Sequence, residues 1–264
     1  EYAYVLPVEI FLRMLGVPAS RRSEFAGPVE RVFRGTDPEA ITAAIVEVAM
    51  MLDAWIDEAL QDRYASREAH LLEAMMRAEV DGVPLAKPEL SSIATMLMLG
   101  GLDTVTSATL HQLHFLATHP AHRDQLLADP SLAPDAVEEM LRRFSVANVA
   151  RTVREDTEFH GVQMRAGEMV MMSTTLAGLS ESAYSDALRV DFARPRVRAR
   201  SLVFGKGVHM CSGHALARRE LLITVEEVLP RLPKLRLAPG SAIEYVSGGT
   251  LSIGSPLPLE WDPA

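Results

Sequence analysis

The chain has 264 residues, 48% of them hydrophobic, with 35 acidic against 26 basic side chains and a net charge of −9. That charge argues against a general nucleic-acid surface, while the apolar share suffices for a sizeable core. A single cysteine excludes an internal disulfide framework and agrees with a reducing compartment.

From the start of the chain, Val5–Leu15 carries apolar residues at helical spacing and stops at Gly16-Val17-Pro18. No basic n-region or apolar h-region precedes it, so no signal peptide is expected. Pro38–Leu60 reads as an amphipathic helix with Ile41, Ile45, Val48, Leu52 and Ile56 on one face. Arg67–Glu79 reads as another, followed by a turn at Asp81-Gly82.

Lys87–Thr118 is expected to form one helix that ends at His119-Pro120. At 1.5 Å per residue it would be about 45 Å long, enough to cross a domain as its central element. Its longest apolar stretch, around Ile93–Leu102, is too short to span a bilayer. Gly100 and Gly101 each cost a helix interior roughly 1 kcal/mol relative to alanine. A defect midway through a long helix suggests a local distortion with a purpose.

Ala121–Leu127 and Pro134–Phe144 are shorter helices, the second with proline near its first turn. Glu139 and Arg142 are three residues apart on it and share a face. Val146–Val153, Glu158–Gln163 and Met169–Thr174 read as short strands around turns at Gly161 and Gly167. An irregular stretch follows from Ser185 to Phe204. The last helix is expected from about Ser212 to Leu229, then strands at Leu235–Ala238, Ile243–Val246 and Leu257–Glu260. The sum is mainly α with a small β portion, in one domain spanning residues 1–264.

The run from Phe204 to Gly213, Phe-Gly-Lys-Gly-Val-His-Met-Cys-Ser-Gly, holds the only cysteine. Gly205, Gly207 and Gly213 permit conformations closed to other residues and close approach to a flat ligand. Cys211 lies on a loop just before a helix, where orphan N–H groups and the dipole favour a thiolate. With no second clustered ligand, a tetrahedral zinc site is disfavoured, and a single axial thiolate on a haem iron fits. A cysteine hydrolase using Cys211 with His209 or His214 would need an orienting third group and an oxyanion hole. It would leave the three glycines without a role.

Phe204-Gly-x-Gly-x-His209-x-Cys211-x-Gly213-x-x-Leu216-Ala217-Arg218 resembles the haem-binding loop of the cytochrome P450 monooxygenases. Gly100-Gly101-Leu102-Asp103-Thr104-Val105, Glu158-Phe159-His160-Gly161-Val162-Gln163 and the Leu257–Pro263 ending resemble the bacterial camphor-hydroxylase branch, and the resemblance covers nearly the whole chain. It implies the P450 fold, haem b (iron protoporphyrin IX) as cofactor, and the C-terminal two-thirds of a longer enzyme. Cys211 would be the axial iron ligand, with Phe204, Gly205 and Gly213 shaping its loop and Arg151 and His209 binding the haem propionates. Asp103 and Thr104 would deliver protons to the distal oxygen. Glu139 and Arg142 would be buried and joined by Arg194 in a network that holds the haem loop.

The same resemblance puts Met96, Leu99, Gly100, Ala147, Val149, Thr250 and Leu251 around an apolar substrate pocket. Val149 stands where a camphor-type enzyme has an acidic residue, and the last turn is one residue longer. The expected substrate is therefore a small hydrophobic, terpenoid-like molecule, with O2 as co-substrate. Electrons would come from an iron–sulfur ferredoxin and its NAD(P)H reductase. Arg194, Arg196, Arg198, Arg200, Lys206, Arg218 and Arg219 would form the docking face. The expected setting is cytoplasmic, with neither nucleic acid nor membrane as partner. The alternative is a haem-binding or inert helical fragment without oxygenase activity.

Overall fold

The computed structural model describes residues 2–35, 37–61, 70–247, 251–253 and 256–262. The chain divides into two compact units, residues 1–106 and 107–264.

In the first unit, α1 (Tyr2–Met14) ends at Gly16, whose φ is 76°. The Gly16 N–H donates to Arg13 O at 2.9 Å and the Val17 N–H to Leu12 O at 2.9 Å. These two bonds are the Schellman pattern, and they bring buried Val17 back onto buried Leu12. Next come α2 (Ala19–Arg34), α3 (Pro38–Gln61) and α4 (His70–Met76). No sequence signal marks α2, because Gly27-Pro28 interrupts it as a turn would.

The helix expected over Arg67–Glu79 is described only from His70 and stops at Met76. Glu79–Val80 instead forms β1, paired with β2 (Val83–Pro84). Asp81 and Gly82 both have positive φ there, 52° and 77°, as a tight two-residue hairpin turn requires. Leu12, Leu15, Phe25, Leu52, Ile56, Leu72 and Met98 form the centre of this unit's core. Trp55 Nε1 donates to Leu15 O at 3.0 Å. Lys87 Nζ reaches Asp53 at 2.8 Å and Asp57 at 2.6 Å, tying the start of α5 (Lys87–Thr118) to α3.

Helix α5 begins in the first unit and ends in the second. It runs unbroken through Gly100-Gly101, so the expected distortion is not there. Although its contiguous apolar run is short, α5 is long and apolar enough to cross a membrane by length and composition, an 18-residue window of it having a mean hydropathy of 1.3.

The second unit continues with α6 (Pro120–Ala128), a 3-10 turn at Pro130–Leu132 and α7 (Ala133–Arg143). Strand β3 (Asn148–Thr152) pairs antiparallel with β6 (Met169–Ser173), placing Arg151 opposite Val170. Between them, the segment expected as one strand over Glu158–Gln163 is a hairpin of β4 (Thr157–Phe159) and β5 (Val162–Met164). It turns at His160 and Gly161, whose φ values are 50° and 79°.

Two short helices, α8 (Thr174–Gly178) and α9 (Val197–Arg200), bracket a largely irregular segment. The final helix is shorter than expected. α10 (His214–Ile223) passes into a π-helical turn at Thr224–Val228 and a 3-10 turn at Leu229–Arg231. The ends of the chain pair β7 (Arg236–Leu237) with β10 (Leu259–Glu260), and β8 (Tyr245–Ser247) with β9 (Leu251–Ile253). Leu116, Ala136, Phe192, Leu221, Leu229 and Leu235 lie in this unit's core.

Candidate active site

The cysteine loop is shaped by backbone that only glycine adopts readily. Gly205 and Gly207 have φ of 69° and 76°. The chain turns back through a 3-10 turn at Gly207–His209, so that the Cys211 N–H donates to Phe204 O at 2.8 Å. Gly213 then caps α10 without a side-chain hydrogen bond. A Cβ at Gly213 would come within 3.9 Å of Cys211 Sγ, whereas one at Gly207 would meet nothing within 4 Å.

Cys211 is exposed, and so are its apolar neighbours Val208, at 96%, and Met210, at 47%. A sulfur presented ahead of a helix N-terminus, within exposed apolar surface, suits a thiolate that binds one face of a flat, largely apolar group. Among the described residues no cluster of three His, Cys, Asp or Glu could hold a bare metal ion. A single thiolate donor fits haem iron.

Phe204 is half-buried, with its ring 4.4 Å beneath the Arg218 guanidinium. His209 and Arg151 are both exposed, and among the described residues no carboxylate pairs with either. Arg151 Nη1 donates only to the neighbouring Ala150 O, at 2.8 Å. Each is thus open to an external anion, though nothing joins the two.

The structure brings Glu139, Arg142 and Arg194 together. Glu139 is 0% and Arg142 1% exposed. Arg142 Nε and Nη2 donate to the two carboxylate oxygens of Glu139, each at 2.8 Å, and Arg194 Nε donates to Oε1 at 3.0 Å. The remaining donors of both arginines go to backbone carbonyls of Gly178, Ser185, Asp186, Ala187 and Arg189. One carboxylate and two guanidinium groups therefore fix a segment that has little regular structure of its own.

In the first unit, Asp103 and Thr104 are half-buried on α5. The Thr104 hydroxyl donates to Gly100 O at 2.9 Å. A Cβ on Gly100 or Gly101 would meet nothing within 4 Å, so the glycines leave open space beside an intact helix. Met96 is 61% exposed, Gly100 is exposed and Leu99 is half-buried on the same helix. Ala147 and Val149 are half-buried in the second unit. Thr250 lies outside the described residues, and Leu251 opens β9.

Sequence reasoning missed a second carboxylate on α7. Glu138, 7% exposed, takes both Nε and Nη2 of Arg218. A second glutamate immediately before Glu139 was the available signal. Glu220 on α10 was missed too. It is 3% exposed, its Oε2 has no hydrogen-bond partner among the described residues, and burial pushes its carboxyl up to about 7. The expected basic face also shrinks. Arg194 and Arg218 are spent inside the protein, which leaves Arg196, Arg198, Arg200, Lys206 and Arg219 exposed.

The family model for cytochrome P450 matches residues 27–244, well over half of the chain. The chain belongs to the cytochrome P450 family. This P450 is 32% identical to a vitamin D3 dihydroxylase of Streptomyces griseolus, over 99% of the chain and 64% of the relative. It is 31% identical to a steroid C26-monooxygenase of Mycolicibacterium smegmatis, over 100% of the chain and 66% of that protein. It thus spans under two thirds of the curated relatives it matches. The open cytochrome P450 Eryk of S. erythraea superposes with a TM-score of 0.89 at 30% identity, over 99% of this P450 and 68% of the other.

Proposed function

We propose that the protein is a haem-thiolate monooxygenase. It inserts one atom of O2 into an unactivated C–H bond of a small hydrophobic, terpenoid-like substrate, and the other atom leaves as water after uptake of two electrons and two protons. The cysteine loop carries this reading, because it presents one exposed thiol ahead of a helix N-terminus within apolar surface.

Cys211 would hold haem b through its sulfur, and the haem would supply the activation of O2. Gly205, Gly213 and Phe204 shape the loop, and His209 and Arg151 offer donors to the propionates. The Glu139–Arg142–Arg194 network holds the segment that leads into the loop. Thr104 Oγ1 and the Asp103 carboxyl move protons toward the oxygen substrate. Met96, Leu99, Gly100, Ala147, Val149, Thr250 and Leu251 contribute apolar contacts to the substrate. The vitamin D3 and steroid named for relatives support a hydrophobic substrate. Electrons come from a ferredoxin and its NAD(P)H reductase. Residues 1–264 work as one domain, and a single cysteine fits the cytoplasm.

The test is an absorption spectrum of the purified protein, reduced under carbon monoxide. A strongly red-shifted Soret band that is lost in Cys211→Ala is expected. A Soret band at the unshifted position would mean haem without a thiolate ligand, and no Soret band would defeat the reading. A thiolate band without ferredoxin-driven turnover would favour a haem-binding protein that lacks oxygenase activity.

A further inference from the structure

Arg218 sits in the second turn of α10 and makes three kinds of contact. Its forked guanidinium is taken by both oxygens of buried Glu138 on α7. Nη1 donates to His214 Nδ1 at 3.0 Å, which places that imidazole's proton on Nε2 when the ring is neutral. The guanidinium plane also covers the Phe204 ring at 4.4 Å. The carbonyl of Phe204 is the acceptor for the Cys211 N–H, at 2.8 Å. Two contacts therefore connect a partly buried cation to the backbone of the ligand cysteine. A third connects the cation to a carboxylate on a different helix.

We propose that Arg218 is a positioning residue for the cysteine loop, held by Glu138, and that this ion pair sets the local field at Cys211 and hence the reduction potential of the bound iron. The inference rests on the haem-thiolate reading. The Arg218 side chain is 18% and that of Glu138 9% exposed, so water screens the pair far less than it screens the surface arginines. Arginine also suits the place better than lysine would, since only a planar fork can grip a carboxylate with one edge and cover a ring with its face. Arg198, whose Nε lies 3.7 Å from the same Glu138 oxygen, is 71% exposed and contributes little to the grip.

Reduction adds an electron, so a nearby cation favours the reduced state and a nearby anion opposes it. In the haem-loaded protein, Arg218→Gln should lower the reduction potential and Glu138→Gln should raise it. The double variant should return toward the parent. Simple damage to the loop would move both single variants the same way. Shifts of one sign, or none in either haem-loaded variant, would overturn the proposal.

If Arg218→Gln takes up no haem, Arg218→Lys replaces it. Its retained charge should keep the potential near the parent's, while the lost stacking moves part of the reduced carbon monoxide adduct to the unshifted, protonated-thiol band. A lysine variant with the parent's band would count against the positioning role. A parent protein without the thiolate band would defeat the haem-thiolate reading itself, a failure distinct from unmoved potentials in an intact thiolate protein.

Discussion

Glu220 shows what one buried acid can do to this fold. It is 3% exposed, no partner among the described residues reaches its Oε2, and desolvation raises its carboxyl from 4.5 to about 7. Between those two values the folded chain keeps a proton that the unfolded chain has released. This contribution to stability is therefore fully present below about pH 4.5 and is lost as the pH rises to about 7. The slope approaches 1.4 kcal/mol per pH unit for one fully coupled site. Glu220→Gln keeps the shape and removes the titration, so it should flatten this loss and be more stable than the parent above neutrality. Urea midpoints of both proteins across the range decide the matter, and parallel curves would show that Glu220 is solvated.

Among the elements, α7 bears the greatest structural demand. Its Glu139 and Arg142 are almost wholly inaccessible, and Arg142 and Arg194, both bound to Glu139, donate to carbonyls along Gly178–Arg189. Removing one partner leaves the others as uncompensated buried charge, at a typical cost of about 3–5 kcal/mol. Glu139→Ala and Arg142→Ala should thus yield little haem-loaded protein, and normal haem content in both would refute the role. The pair was readable from its spacing on a helix. Its burial was expected only from the family resemblance, because an exposed pair has the same spacing.

Similar limits explain which elements the sequence revealed. α5 was read to the residue, since Pro120 punctuates a long apolar pattern. α2 was missed because a helix-internal Gly27-Pro28 looks like a loop. The π turn at Thr224–Val228 continues α10 without any break in the residue pattern, and the contacts just before it are remote in sequence. Gln112 Nε2, for example, reaches Leu221 O from 109 residues away. The inward turn of Arg218 was equally hidden, since its partner Glu138 lies 80 residues earlier.

At the scale of the whole molecule, the contrast lies between a chain of net charge −9 and a local group of exposed cations near the cysteine loop, Arg196, Arg198, Arg200, Lys206 and Arg219. An acidic ferredoxin, the proposed electron donor, would be repelled at long range by a protein of that net charge, so productive encounter would depend on a local field of opposite sign. Exposed charges are screened within about 10 Å at 0.1 M salt. The rate of electron transfer should therefore fall as salt rises, and fall further in Arg198→Glu. Arg231, 68% exposed and paired with Glu227, supplies the control, because Arg231→Glu changes the total charge by the same amount outside the cluster. Stopped-flow reduction of the three proteins separates the two causes. A large loss confined to Arg198→Glu would assign docking to the local face. Equal losses in both variants would mean that only net charge matters, and rates indifferent to salt would remove electrostatic docking altogether.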